Sequence, residues 1–233
     1  AMLTVYAPAK INLVLEVLGK DNDYHRIASI VQSIDLCDVL SFQLDKEVCF
    51  ECDVPSLKRD NLVPQAATLL KESTKCSLGT RIELRKHIPW GVGLGGGSSD
   101  AAATLLALNE LWELRLSLPH LVQLASELGS DVPFFIHNGT ALVEGRGEKV
   151  TLLPALPATW FVLLVPPLPR ISGKTRRMYD NLTAAHYTQG QFVQRTLSSL
   201  RQGKPIGHSL MFNVFEMVAF NFFPGLDKYR KTL

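Results

Sequence analysis

Along residues 4–18, TVYAPAKINLVLEVL, apolar positions recur at every second place. Ile11, Leu13, Leu15 and Val17 share one face of the predicted strand, and Lys10, Asn12, Val14 and Glu16 share the other, because strand side chains alternate with a period of two. Gly19 to Asp23 reads as a turn. Further strands are expected near 26–34, 37–44, 47–53 and 80–87. Residues 60–73 carry helical spacing, with Asp60 or Asn61 as the cap. A second helix is expected after the glycine loop, to about Leu114. A third is capped by Ser117, holds Pro119 in its first turn and stops at Gly129. Ser130 to Pro133 opens a short element through PFFIH, and 139–152 is glycine-rich, then strand-like. Trp160 to Val165 is wholly apolar and predicts a buried strand, broken by Pro166, Pro167 and Pro169. Helices follow at 174–188, 191–202 and 210–222. The domain boundary falls near Pro154 to Pro157, and no internal repeat or low-complexity tract is present.

Composition adds mainly exclusions. The chain has 233 residues, 46% hydrophobic and 20% charged, with a formal net charge of +2. That balance gives no argument for nucleic acid or an anionic membrane as partner. No apolar run approaches the roughly 20 residues of a membrane span, and the N-terminus lacks the pattern of a signal peptide. A cytoplasmic protein is expected. Of the four cysteines, Cys49 and Cys52 have the spacing of a zinc half-site. No second pair at matching spacing completes it, and VCFECD alternates like a strand, so Cys37, Cys49, Cys52 and Cys76 read as reduced structural thiols.

The candidate chemistry lies in residues 89–103, PWGVGLGGGSSDAAA. Glycines at 91, 93, 95, 96 and 97 permit positive φ and close approach of a ligand to the backbone. They feed a helix start, whose unpaired N–H groups and dipole favour an anion. Three phosphate-loop types compete. A Walker loop needs a lysine directly after its last glycine, and none follows here. Gly173-Lys174-Thr175 has that ending, but Leu168 stands where the earlier glycine belongs, among Pro166, Pro167 and Pro169. A dinucleotide fingerprint fits Gly91, Gly93 and Gly96 literally, but it requires an acidic residue about 20 positions on, ending a second strand. Glu110 and Glu113 lie in or near the first helix instead.

The third type is carried by resemblance. PWGVGLGGGSSDAAA is similar to the phosphate loop of the GHMP small-molecule kinases, Pro-x-x-x-Gly-Leu-Gly-(Gly-Gly-)Ser-Ser. Two more segments resemble one branch of that superfamily. Ala7-Pro8-Ala9-Lys10-Ile11-Asn12-Leu13 with Tyr24-His25 matches its opening motif, although Asp23 stands where a glycine is usual. Gly129 to Phe135, then Gly139-Thr140-Ala141 and Gly145 to Glu148, are similar to GADVPFF, GGTA and GRGE, with Asn138 replacing the first glycine of GGTA. The order of the three holds from Ala7 to Glu216.

The resemblance implies an α+β protein of the GHMP kinase fold. Residues 1–155 would form an ATP-binding domain like the second domain of ribosomal protein S5. Residues 156–233 would form a smaller α/β, ferredoxin-like domain. That domain is expected to be incomplete, because no glycine-rich MSGSG-like motif follows Asn213 and Glu216. The branch moves the γ-phosphate of ATP to the 2-hydroxyl of a cytidine-diphosphate-linked methylerythritol, on a non-mevalonate route to isoprenoid precursors. Two alternatives are another GHMP kinase and a catalytically impaired nucleotide-binding member. ATP and Mg²⁺ are the implied cofactors, and a small cytidine diphosphate is the implied substrate.

The same resemblance assigns roles. Asp131 reads from the residues alone as a helix cap, but its counterpart is the family's general base. Lys10 reads as a solvated strand lysine, but its counterpart is the partner of that base, stabilising charge at the reacting oxygen. Pro89, Trp90, Gly91, Val92, Gly93, Leu94, Gly95, Gly96, Gly97, Ser98 and Ser99 would wrap the phosphates. Ser98 or Ser99 could reach Mg²⁺ and also cap the helix. Asn61 matches a helix start near the adenine. Tyr24 and His25 correspond to the cytosine-recognition pair, Tyr179 to a second aromatic, and Asn12 and Thr175 to weaker substrate contacts. Asp100 would repel phosphate unless it turns away or pairs with a cation, and the sequence leaves this open.

Overall fold

The computed structural model describes residues 2–167, 173–204 and 206–231. Leu168 and Pro169, which the discounted Walker-like reading involves, lie outside the described residues. The chain opens with two long strands, β1 (Met2–Asp21) and β2 (Tyr24–Asp45). They are joined by a tight turn at Asn22 and Asp23, with Asn22 at φ 54°, a left-handed conformation that asparagine tolerates. The expected strands at 26–34 and 37–44 are therefore one. The polar interruption at Ser33 and Asp35 marks a change of neighbour. Residues Ile27–Gln32 pair antiparallel with β5 (Thr140–Gly145), and Val39–Asp45 pair antiparallel with β4 (Gly79–Arg85).

Two compact units result, and they do not follow the linear boundary expected near residue 155. The first holds residues up to Ile11 and Ser33–Gly139; the second holds Asn12–Gln32 and the chain from Thr140 onward. Strands of 20 and 22 residues are several times longer than an ordinary strand, so each supplies both units.

In the first unit the strand order is β3-β4-β2-β1, with β3 (Val48–Cys52) parallel to β4. Four helices accompany it: α1 (Leu62–Thr74), α2 (Gly96–Leu111), α3 (Leu118–Leu128) and α4 (Val132–His137). Asn61, not Asp60, caps α1, its Oδ1 accepting the Val63 amide at 2.9 Å. Val63, Ala66, Ala67 and Leu70 of α1 are buried, as are Leu105 and Leu108 of α2, Phe134 and Phe135 of α4, and Leu40, Phe42, Ile82 and Leu84 of the sheet. Cys49 and Cys52, three apart on β3, point to opposite faces, and both are free thiols.

In the second unit the order is β6-β5-β2-β1-β7, where β6 is Lys149–Leu152 and β7 is Phe212–Asn213. Its helices are α5 (Lys174–Asp180), α6 (Gln191–Arg201), α7 (Glu216–Phe222) and α8 (Leu226–Arg230). The fully buried Glu16 accepts the Val193 amide at 2.8 Å, so a carboxylate on β1 serves the first turn of α6, which opens at Gly190.

Three expectations fail here. The helix expected over 174–188 stops at Asp180, because Asn181 donates back to Arg177 O and Thr183 starts a separate capped turn. The helix expected from 210 begins at Glu216. Phe212 and Asn213 pair with β1 instead, and Asn213 Oδ1 accepts the Phe215 amide. Trp160 to Val165 is not a buried strand. Trp160 is 97% exposed and Val162 81%, and the segment has no ladder partner among the described residues. An apolar run becomes a buried strand only where neighbours cover it.

Candidate active site

The phosphate-loop candidate runs from the buried Ile88 to the start of α2. Gly91, Gly93 and Gly95 have φ of 77°, 97° and 73°. A side chain at Gly91 or Gly93 would meet no protein atom within 4 Å, so space lies beside the loop. Gly95 is the opposite case: a Cβ there would stand 2.8 Å from Phe135 Cζ and 3.0 Å from Lys10 Cγ. The carbonyl of Leu94 accepts the Lys10 amide at 2.9 Å. The loop is thereby fastened to β1 at the lysine the sequence singles out.

Helix α2 takes Gly95 as its N-cap, with no side-chain capping bond. The expected serine cap is corrected: Ser98 and Ser99 lie inside the first turn. Ser99 is buried, and its own amide closes on Gly95 O at 2.9 Å. The helix start therefore offers its first amides without a competing side chain.

Lys10 and Asp131 come together. Lys10 Nζ lies 3.5 Å from Asp131 Oδ2; the lysine side chain is 11% exposed and the aspartate 50%. Asp131 occupies the N-cap position of α4 but makes no side-chain capping bond. The simpler reading of it as a cap does not describe what its carboxylate does. Both groups, and the loop, belong to the first unit.

Asn61 is committed locally. Its Oδ1 caps α1 and its Nδ2 donates to Leu57 O at 2.8 Å. It borders an open cleft of about 440 Å³ on the outer face of α1, with Asp60, Pro64, Gln65 and Thr68.

Asp100 pairs with a cation. Lys86 Nζ donates to Asp100 Oδ2 at 2.7 Å and also to Asp38 Oδ2. Asp38 Oδ1 accepts the amides of His87 at 2.6 Å and Ile88 at 2.8 Å. All three side chains are at most 2% exposed, and Asp100 Oδ1 has no partner. Burial pushes Asp100 up to about 7, against the pull of Lys86 and together with the charge of Asp38. For Lys86, burial favours the neutral amine, but the two carboxylates outweigh it and the pKa rises.

The second unit holds the aromatic candidates. His25 and Tyr179 stack at 5.1 Å between centroids with 24° between planes. Tyr187 meets His25 edge-on at 6.0 Å, and Phe215 meets Tyr179 edge-on at 4.8 Å. His25 Nε2 is buried without a hydrogen-bond partner. Burial and the charge of Lys20 lower the pKa of His25, with Asp180 opposing, so the ring is neutral at pH 7. Tyr24 is half exposed and carries the Arg146 guanidinium 3.7 Å above its ring. Asn12 Nδ2 donates to Ser29 Oγ at 2.8 Å, which donates to Val14 O. Thr175 is exposed on α5, one helical turn before Tyr179.

Sequence reasoning assigns no role to Asp38, Lys86, Arg146, Tyr187 or Phe215. Arg146 stands in the GRGE segment and Lys86 three residues before the loop, so position was the available signal. No metal-binding group of three or more His, Cys, Asp or Glu side chains occurs among the described residues. None of their helices is long and apolar enough to cross a membrane.

Residues 61–139 match the family model of the GHMP kinase N-terminal domain, a stretch lying wholly within the first unit. The chain is 48% identical over 231 residues to a 4-diphosphocytidyl-2-C-methyl-D-erythritol kinase of Dehalococcoides mccartyi, covering 98% of this chain and 81% of that one. A kinase of the same name from Listeria welshimeri is 46% identical over 185 residues, covering 77% and 62%. A crystal structure of 4-(cytidine 5'-diphospho)-2C-methyl-D-erythritol kinase superposes with a TM-score of 0.78 at 34% identity, covering 98% of this chain and 81% of that chain. With the glycine loop, the lysine–aspartate pair and these relatives together, the chain belongs to the 4-diphosphocytidyl-2-C-methyl-D-erythritol kinase family of the GHMP kinases.

Proposed function

We propose that this chain transfers the γ-phosphoryl group of ATP to the 2-hydroxyl of 4-diphosphocytidyl-2-C-methyl-D-erythritol, a step toward isoprenoid precursors. The observation that carries the reading is the junction at Gly95, where the phosphate loop touches the stem of Lys10 and Lys10 reaches Asp131.

The loop amides and the uncapped start of α2 hold the β- and γ-phosphates. Asp131 accepts the proton of the attacking hydroxyl. The hydroxyl oxygen bonds to the γ-phosphorus, the bond from that phosphorus to the β-phosphate oxygen breaks, and ADP leaves. The Lys10 ammonium stabilises negative charge on the reacting oxygens. Mg²⁺, when bound, would neutralise developing charge on the phosphates, and Ser98 or Ser99 in the first turn of α2 would reach it. In the second unit Tyr24, His25 and Tyr179 take the cytosine. A pyrimidine needs an aromatic face and a hydrogen-bonding edge, and the unpartnered Nε2 of the neutral His25 supplies the latter.

Release of ADP from ATP, measured with and without the cytidine substrate, tests this. Turnover is expected only with that substrate. Lys10→Ala and Asp131→Ala each lower it by roughly 10²- to 10⁴-fold while ADP still binds in calorimetry. Wild-type turnover in either variant refutes the assignment.

A further inference from the structure

Both stems of the phosphate loop are tied to one buried cluster that the transfer chemistry does not use. The incoming stem is Lys86-His87-Ile88. Its second and third amides bond to Asp38 Oδ1, at 2.6 and 2.8 Å, and its first amide bonds to Asp53 Oδ1 at 3.0 Å. The outgoing stem is the first part of α2. It is held by Lys86 Nζ on Asp100 Oδ2 at 2.7 Å, while the same ammonium donates to Asp38 Oδ2. Where the stems converge there is no spare room. A Cβ on Gly96 would stand 3.1 Å from Lys86 Nζ, 3.2 Å from Ile88 Cγ2 and 3.3 Å from Asp38 Oδ2.

We propose that Lys86, held between Asp38 and Asp100, is a positioning residue: it clasps the neck of the phosphate loop and so fixes where the loop amides meet the nucleotide phosphates. Stability alone is a poor explanation for such a cluster. A buried ion pair returns little net stability once desolvation is counted. Here one ammonium serves two carboxylates, and one carboxylate oxygen, Asp100 Oδ1, is left without a partner. What the arrangement does supply is geometry. Lys86 bonds both to Asp38, which holds the incoming stem, and to Asp100, on the outgoing stem. Anion binding by backbone amides depends on their aim, because the donors cannot be re-aimed one at a time. A neck that opens leaves every amide present and misdirected.

The inference rests on the loop being the ATP phosphate site, and the test separates the two. Asp100→Leu cuts the outgoing arm and leaves the Lys86–Asp38 pair intact; Asp100→Asn keeps an acceptor for Lys86; Lys86→Met cuts both arms. Steady-state kinetics, melting temperature, and calorimetric binding of ADP and of adenosine are measured on each. Asp100→Leu and Lys86→Met are expected to raise KM for ATP by about tenfold and weaken ADP to match. Adenosine affinity and KM for the cytidine substrate stay within twofold of wild type, and kcat within threefold. Asp100→Asn restores KM for ATP toward the wild-type value. Should Lys86→Met not fold, Asp100→Leu decides alone. A melting temperature and kcat that fall while KM for ATP holds would show a merely structural cluster and overturn the clasp. A wild-type protein that binds no ADP overturns the phosphate-loop reading, and the clasp with it.

Discussion

The phosphate loop of the first unit and the aromatic cluster of the second, as the proposed function uses them, would solve recognition with opposite materials. At the loop the proposed recognising groups are main-chain amides, set by glycines at 91, 93 and 95 with left-handed φ and by an α2 that begins without a side-chain cap. Charge is placed around them in one pair, Lys10 with Asp131, and one triad, Lys86 with Asp38 and Asp100. In the aromatic cluster the backbone does little. Rings from β2, α5, the loop after it and the approach to α7 stack or meet edge-on, and one imidazole nitrogen is left unpaired. A phosphate is a compact anion that amides can surround, whereas a pyrimidine is a plate with one informative edge. Each region's failure modes should follow its material.

The largest effect is expected where backbone and charge meet. Gly95→Ala puts a side chain at φ 73° and drives it into Phe135 and Lys10. Neither neighbour can retreat easily, because Phe135 is 1% exposed in the core and Lys10 is held by Asp131. Turnover should fall by more than about 100-fold and nucleotide binding should weaken with it. The aromatic cluster should be untouched, so cytidine diphosphate affinity should match wild type. If turnover in Gly95→Ala stays near wild type, the contrast between the two regions is wrong at its centre.

A smaller and opposite signature belongs to Tyr179. Base–ring stacking is worth roughly 1–3 kcal/mol, so Tyr179→Ala should raise KM for the cytidine substrate by about 10- to 100-fold and leave KM for ATP alone. Tyr179→Phe keeps the plate and should cost little. Equal changes in the two KM values would mean that the rings support the fold rather than a ligand.

These regions were unequally legible. The glycine loop announces itself because its chemistry is contiguous: five glycines, then a helix-forming run, in one stretch. Lys10 and Asp131 stand out only through motif resemblance. From the residues alone Asp131 reads as a cap, and it does hold the cap position without making the cap's bond. What escaped is long-range. Lys86 and Asp38 are 48 residues apart, and each looks like an ordinary charge on a strand. The rings of Tyr187 and Phe215 gain meaning only once α5 and β7 bring them to His25 and Tyr179. The same limit misplaced Trp160 to Val165, since an apolar run states its preference for burial but not whether neighbours exist to cover it. β2 erred in the other direction. A polar break at Ser33 and Asp35 is also how one continuous strand passes from one partner to another.

The smallest effect on turnover, and the sharpest test of the charged region, concerns the proton on Asp100. Its pKa moves from an ordinary 3.8 up to about 7 in the folded chain, chiefly through burial. Between those values the folded protein keeps a proton that the unfolded chain releases, so stability contributed by the protonated form is complete below about pH 4 and is lost as pH rises through 7. Lys86 stays an ammonium because its own pKa is raised, and the thiol of Cys52, on β3, is pushed up by its burial and remains neutral. Asp100→Asn removes the titration and keeps an acceptor for Lys86. Its melting temperature should therefore gain on wild type steadily from pH 4 to pH 7 and hold a constant lead above pH 8, on the order of 5 °C. Among the described residues the aromatic region carries no buried carboxylate pair, so Tyr179→Phe should show no such pH-dependent gap. A gap that closes as pH rises would mean that the ionised Asp100 stabilises the fold, and that Lys86 holds it more tightly than burial opposes it.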